Sequence, residues 1–261
     1  MNLQTGLDVS CWGTSQIAQM NDINNGGMVP AYFELSTGIS GCPILQNGEI
    51  YDDGSGRLQA LQAIISNDNP NLSVGYYHFL YDPKYVPEAM PCYDQGVTFG
   101  EALTNNAIPS TYLLLALDIE GKSFGSNQVS LSEIENCVSE FMSGLTDTIT
   151  GNFQVMIYSS VNMINDLSLP PMYESSQLTA AKLWLADAIY GVNFGYEPTN
   201  SQINTAIDQM NSITWGGVTG WSGWQYGITQ PEINNLNIDL DLFNMDVIYD
   251  SSMYYLSLIH I

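Results

Sequence analysis

The chain predicts an α/β fold, a single-domain modified (β/α) barrel of the TIM-like kind in which some helices are short or missing. Three observations lead there. Short apolar runs recur along the 261 residues, separated by segments of helix length or by turn-rich stretches. The central run, 112–121, is uninterruptedly apolar until it closes on Asp118, Ile119 and Glu120. Such a strand is covered on both faces, as in a parallel sheet, and the carboxyl ends of those strands are where α/β proteins place their chemistry. Finally, 45% hydrophobic content supports a sizeable core, and no linker, charge block or fixed-period repeat divides the chain.

In chain order, residues 5–9 read as the first strand, with Asp8 near its end. A short helical pattern through Ile17, Ala18 and Met20 leads to a second strand at 29–35. The turn-rich stretch 39–56 reads as a long surface loop. Helical spacing at 57–65 precedes a strand at 73–79. A loop at 82–91 holds three prolines and gives way to a helix around 97–103, before the central strand. Ser130 opens a further helix, with Ser132 and Glu133 in its first turn and Ile134, Val138, Phe141 and Met142 along one side. Strands at 153–158 and 182–186, a helical pattern at 198–213, and strands at 221–226 and 236–243 complete the alternation. The barrel is thereby assigned to 1–244, and 245–261 to an apolar tail that is an extra strand or a docking segment.

Twenty-seven acids face only four basic residues, Arg57, Lys84, Lys122 and Lys182, for a net charge of -23. That surface repels nucleic acid and disfavours anionic membranes. An anionic polymer would have to be gripped by hydrogen bonds and stacking. The first residues show no basic segment followed by an apolar one, so no secretory signal is expected, and no apolar run is long enough for a membrane span. The four cysteines lack zinc spacing, and no metal or cofactor is expected. Cys11, Cys42 and Cys92 follow strands, which allows one disulfide among them; Cys137, in a helical pattern, reads as a buried thiol.

Asp118 and Glu120 project to the same side of an extended chain, about 6.5 Å apart along it. Asp8 and Asp239 lie at the ends of the first and last predicted strands and would be neighbours where a barrel closes. Carboxylates clustered at strand ends mark a candidate site, in which mutual repulsion raises the pKa of whichever group is most buried.

Seven motifs, in order, carry a resemblance: Gly6-Leu7-Asp8-Val9-Ser10, Gly75-Tyr76-Tyr77-His78-Phe79, Leu117-Asp118-Ile119-Glu120, Ile157-Tyr158-Ser159, Leu183-Trp184-Leu185-Ala186, Trp224-Gln225-Tyr226 and Ile238-Asp239-Leu240-Asp241-Leu242-Phe243. Together they resemble the glycoside hydrolase family 25 muramidases, lysozymes of the Chalaropsis type, over nearly the whole chain. The resemblance implies hydrolysis of the β-1,4 bond between N-acetylmuramic acid and N-acetylglucosamine in bacterial peptidoglycan, at the cell wall or from a virion. It implies Glu120 as general acid, protonating the leaving oxygen, with Asp118, Asp8 and Asp239 as supporting carboxylates of which one stays ionised to stabilise an oxocarbenium-like transition state. Tyr77, Tyr158, Trp224 and Tyr226 fall where the family lines its sugar groove. Retention would follow from attack by the substrate's acetamido group or by a carboxylate, a choice the residues leave open.

One segment departs from the family pattern. After the second strand, Glu34-Leu35-Ser36-Thr37-Gly38 stands where a basic residue and a later acid are usual. This keeps a rival in view, a non-catalytic barrel reused as a structural or glycan-binding component of a virion or other assembly, with the tail as its contact. A chitinase-like enzyme would need an aspartate two positions before Asp118, where Ala116 stands. Asp187 and Asp241 read as structural or peripheral, His78 as a hydrogen-bonded packing residue, and Trp224 and Tyr226 share a face that meets either the core or the groove.

Overall fold

The computed structural model describes residues 3–9, 29–34, 45–46, 49–50, 72–87, 89–105, 113–120, 131–149, 152–160, 182–186, 199–212, 214–215, 218–219, 221–227, 239–248 and 255–256. Its long strands are β1 (Leu3–Val9), β2 (Val29–Glu34), β3 (Leu72–Phe79), β4 (Leu113–Asp118), β5 (Asn152–Ser160), β6 (Lys182–Ala186), β7 (Trp221–Gly227) and β8 (Asp239–Asn244). Each pairs with its neighbours in sequence, and β8 pairs back onto β1, so the sheet closes into an eight-stranded barrel.

Strands β1 to β7 run parallel, and β8 is antiparallel to both its neighbours. The all-parallel sheet implied by the alternation is corrected at this one strand. Residues 228–238 are too few for the crossover that a parallel return requires, so the chain comes back in the opposite direction. As a consequence β8 begins, rather than ends, at the rim where the other seven strands finish.

Inside the ring, Tyr77, Ala116, Met156, Trp184 and Phe243 come from five strands and meet in one cluster with Met245. The inward face therefore carries β4 positions 116 and 118. Gly223 sits on the same face, because a Cβ there would stand 2.8 Å from both Phe243 Cε1 and Trp184 Cδ1. Those rings already fill the space, and only glycine lets β7 approach them.

Outside the ring lie helices α1 (Cys92–Asn105), α2 (Leu131–Thr148) and α3 (Asn200–Met210). The apolar stripe of α2 is buried: Ile134, Val138, Phe141, Met142 and Leu145 are at most 1% exposed. Helices α1 and α2 approach closely because glycines face each other's backbone. A Cβ on Gly96 would lie 2.0 Å from the Phe141 carbonyl oxygen, and one on Gly144 2.1 Å from that of Tyr93. The expected helix at 97–103 starts earlier, at Cys92, just after Pro91, whose carbonyl accepts from Gln95 N–H (3.0 Å). A capping box of Thr199 and Gln202 opens α3.

The same contact corrects the cysteine assignment. Cys92 is bonded to Cys137, with Cα atoms 5.2 Å apart, so Cys137 is not a thiol. Cys92 is the first residue of α1 rather than a loop residue, and the glycine contacts bring it against α2. Cys11 and Cys42 lie outside the described residues, as do the helical patterns near 17–20 and 57–65, Asp187, and Leu35 to Gly38. Within the loop expected at 39–56, Leu45–Gln46 pairs with Glu49–Ile50 as a short hairpin. In the tail, Tyr255–Leu256 pairs antiparallel with Phe153 and Asn152, below the point where the pairing with β6 begins at Met156.

Candidate active site

The carboxyl ends of β1 to β7 form the mouth of the barrel, and the predicted acids gather there. Asp118 ends β4, and three hydrogen bonds fix the chain as it leaves. Its carbonyl accepts from Leu80 N–H (2.9 Å), Ile119 N–H donates to the Tyr158 carbonyl (3.0 Å), and the Ile119 carbonyl accepts from Ser159 Oγ (2.8 Å). Strand alternation is thus held past the end of the strand. Ile119 is fully buried on the outer side, Asp118 lies on the Ala116 side at 6% exposure, and Glu120 follows half-buried.

On the other side of the mouth, Asp8 of β1 is the direct register partner of Asp239, the first residue of β8. In a ring of eight, β4 and β8 are four strands apart in either direction. The Asp118–Glu120 pair and the Asp8–Asp239 pair therefore belong to opposite sides of one opening. The reversed direction of β8 is what brings Asp239 to it.

The predicted aromatic residues separate into three groups. Tyr158 is the register partner of Asp118, is half-buried, and sits at the mouth. Tyr77 pairs with Ala116, one layer deeper, and belongs to the interior cluster at 7% exposure. Trp224 and Tyr226 do share a face, their ring centroids 5.5 Å apart, but it is the face opposite Gln225 and Gly223. Both are at most 2% exposed and pack outside the sheet. The interior position between them is taken by Gln225, a residue that the sequence pattern does not single out.

Two further residues enter the site. Trp184 touches Tyr158 and Phe243 edge-on, each at 5.2 Å between centroids, and its Nε1–H donates to Asp241 Oδ1 (2.8 Å). Asp241, read as structural or peripheral, is structural: it is completely buried in the barrel. The signal was present in the sequence: in Asp239-Leu240-Asp241-Leu242-Phe243 the odd positions share a face. Tyr158 donates its hydroxyl proton to Gln225 Oε1 (2.8 Å).

His78 lies on the outer face, stacked on Phe141 at 5.0 Å, with Nε2 3.0 Å from Gln95 Oε1. It is the packing residue expected. Gln95 also accepts from Tyr81 N–H and donates to the Tyr81 and Met90 carbonyls, which fixes the loop after β3. Lys84 in that loop pairs with Glu133, and this hydrogen bond holds the ammonium above its usual range. Burial pushes the phenol of Tyr76 upward. Among the described residues, no cluster of histidine, cysteine and carboxylates could hold a metal, and no helix is long and apolar enough to cross a membrane.

No protein-family model matches the chain, and no curated protein matches it. Solved structures do. A muramidase from Acremonium alcalophilum superposes with a TM-score of 0.54 at 19% identity, over 95% of each chain. The chain carries the fold of the muramidases. The Clostridium perfringens spore cortex lytic enzyme SleM gives 0.59 at 16% identity, over 93% of this chain and 67% of its own. A family GH25 lysozyme from Aspergillus fumigatus gives 0.53 at 17% identity, over 93% and 94%. At these identities the likeness is one of fold, and it covers the muramidase barrel from end to end.

Proposed function

We propose that the chain is a peptidoglycan hydrolase, an N-acetylmuramidase that cleaves the β-1,4 bond between N-acetylmuramic acid and N-acetylglucosamine. The observation that supports this reading is the fold shared with solved muramidases, with Asp118 and Glu120 at the end of β4 and the Asp8–Asp239 register pair across the same rim. Glu120 is the general acid. It is half-buried rather than sealed, as a group that meets a glycosidic oxygen must be. Asp118, buried beside it and fixed by the hydrogen bonds around its peptide, orients the reacting sugar, and Asp8 with Asp239 supplies negative charge across the opening. Cleavage proceeds with retention. Tyr158 provides the aromatic contact to a sugar ring; Tyr77, Trp224 and Tyr226 support the barrel around it. The site of action is the bacterial cell wall, outside the cell or from a virion.

The deciding experiment is muropeptide release from purified peptidoglycan by the wild type and by Glu120→Gln. Removal of a general acid costs roughly 10² to 10⁴ in rate. No release by the wild type across a broad pH range would sink the enzyme reading. The altered Glu34 to Gly38 segment favours a second reading, a non-catalytic glycan-binding barrel. That reading predicts sedimentation of the protein with cell walls and no new reducing ends.

A further inference from the structure

Two hydrogen bonds below the mouth each skip a strand. Tyr158 on β5 reaches past β6 to donate to Gln225 on β7, and Trp184 on β6 reaches past β7 to donate to Asp241 on β8, both at 2.8 Å. The two donors touch, with the Tyr158 ring edge-on to Trp184 at 78°. The four side chains thus form one continuous brace over four successive strands, half the ring. One end is Tyr158, in register with Asp118; the other is Asp241, two residues along β8 from Asp239.

A fully buried carboxylate is costly unless it is paired or hydrogen-bonded, and here the Trp184 indole supplies such a bond. An apolar residue would pack the same space at less cost, as Leu242 does on the opposite face. We propose that Asp241 is a positioning residue: by accepting from Trp184 it fixes the Trp184–Tyr158 pair and so places the Tyr158 hydroxyl at the groove. The brace also ties the Asp118 side of the mouth to the Asp239 side. Its proton is donated to Gln225, so the Tyr158 hydroxyl is no donor to a ligand. This inference rests on the muramidase reading for its ligand, though not for the brace itself.

The test combines kinetics on soluble peptidoglycan fragments with the indole N–H resonances of tryptophan-labelled protein, Trp184 being assigned through Trp184→Phe. Asp241→Asn keeps an acceptor, whereas Asp241→Leu removes it at similar volume. The asparagine variant should lose no more than about threefold in kcat/KM and keep the Trp184 indole proton slow to exchange. The leucine variant should raise KM about tenfold, with a smaller change in kcat, and lose that protection. Gln225→Met, which removes the acceptor for Tyr158, should raise KM about fivefold, and it decides the matter if the leucine variant does not fold. An asparagine variant as impaired as the leucine one, or an unchanged KM in both Asp241→Leu and Gln225→Met, would overturn the proposal. If the wild type releases no fragments, the muramidase reading fails, and the indole proton alone decides whether the brace exists.

Discussion

Removing the Cys92–Cys137 bond, by reduction or as Cys92→Ala/Cys137→Ala, perturbs a loop of sequence separation 45 that runs from the start of α1 through β4 into α2. The loop-entropy relation gives a loss of about 4 kcal/mol for a closure of that length. For a chain of 261 residues the unfolding entropy is about 0.55 kcal/mol/K, so the midpoint should fall by about 7 °C. Both cysteines are 4% exposed, so the alanines leave only small voids and the entropic part dominates. Urea unfolding followed by tryptophan fluorescence, at equal pH with and without a reductant, measures the difference as a change in stability in water, with a steeper slope once the unfolded chain is freed. A functional consequence follows from the geometry. The bond anchors the first turn of α1, Gln95 in that turn holds the loop after β3, and Leu80 in that loop donates to the Asp118 carbonyl. The oxidised protein should therefore hold its site together at temperatures where the reduced one loses it. A change below about 1 kcal/mol would refute the reasoning, because it would mean that the helix pair is already closed in the unfolded ensemble.

Two other expectations are simpler to check. Gly144→Ala places a Cβ against the Tyr93 carbonyl at 2.1 Å, backbone that cannot yield cheaply, and should cost about 1–3 kcal/mol in urea. Ser139→Ala on the exposed side of α2 should stay within about 0.5 kcal/mol, and equal costs would discredit the close-packing argument. For Tyr76, burial raises the phenol above its unfolded value of about 10, so its contribution is complete below that pH and is lost as pH rises further. Stability should fall by up to about 1.4 kcal/mol per pH unit above pH ~10, and Tyr76→Phe should flatten that decline. Parallel declines in the two proteins would remove Tyr76 as the cause.

Much of this molecule was legible in the sequence because its strands are apolar, short and separated by turn residues. Each of the eight expected strands overlaps an observed one, and Lys182–Ala186 matches to the residue. The central motif was legible for the same reason: a strand buried on both faces leaves its acids nowhere to sit but at the rim, and Asp118 and Glu120 stand there. What failed depended on contacts between distant segments. The direction of β8 is set by the length of a connection, and it turned an acid expected at a strand end into one at a strand start. The partner of Cys137 depends on Gly96 and Gly144 bringing two helices together, although paired small residues were a usable hint. Alternation told correctly that Trp224 and Tyr226 share a face, but only the pairing of Gln225 with Asp241 and its contact with Tyr158 say which face is inside. For Asp241 the reading left structural and peripheral roles open, and the indole of Trp184, which holds it in the interior, decides for the first.

The most direct measurement of the central claim is the identity of the new reducing end. Digested peptidoglycan is reduced with borohydride and its fragments are analysed by mass spectrometry. A muramidase built on Glu120 and the facing carboxylates yields fragments that end in reduced N-acetylmuramic acid, and Glu120→Gln yields almost none. Fragments ending in reduced N-acetylglucosamine, or equal yields from the two proteins, would contradict the account.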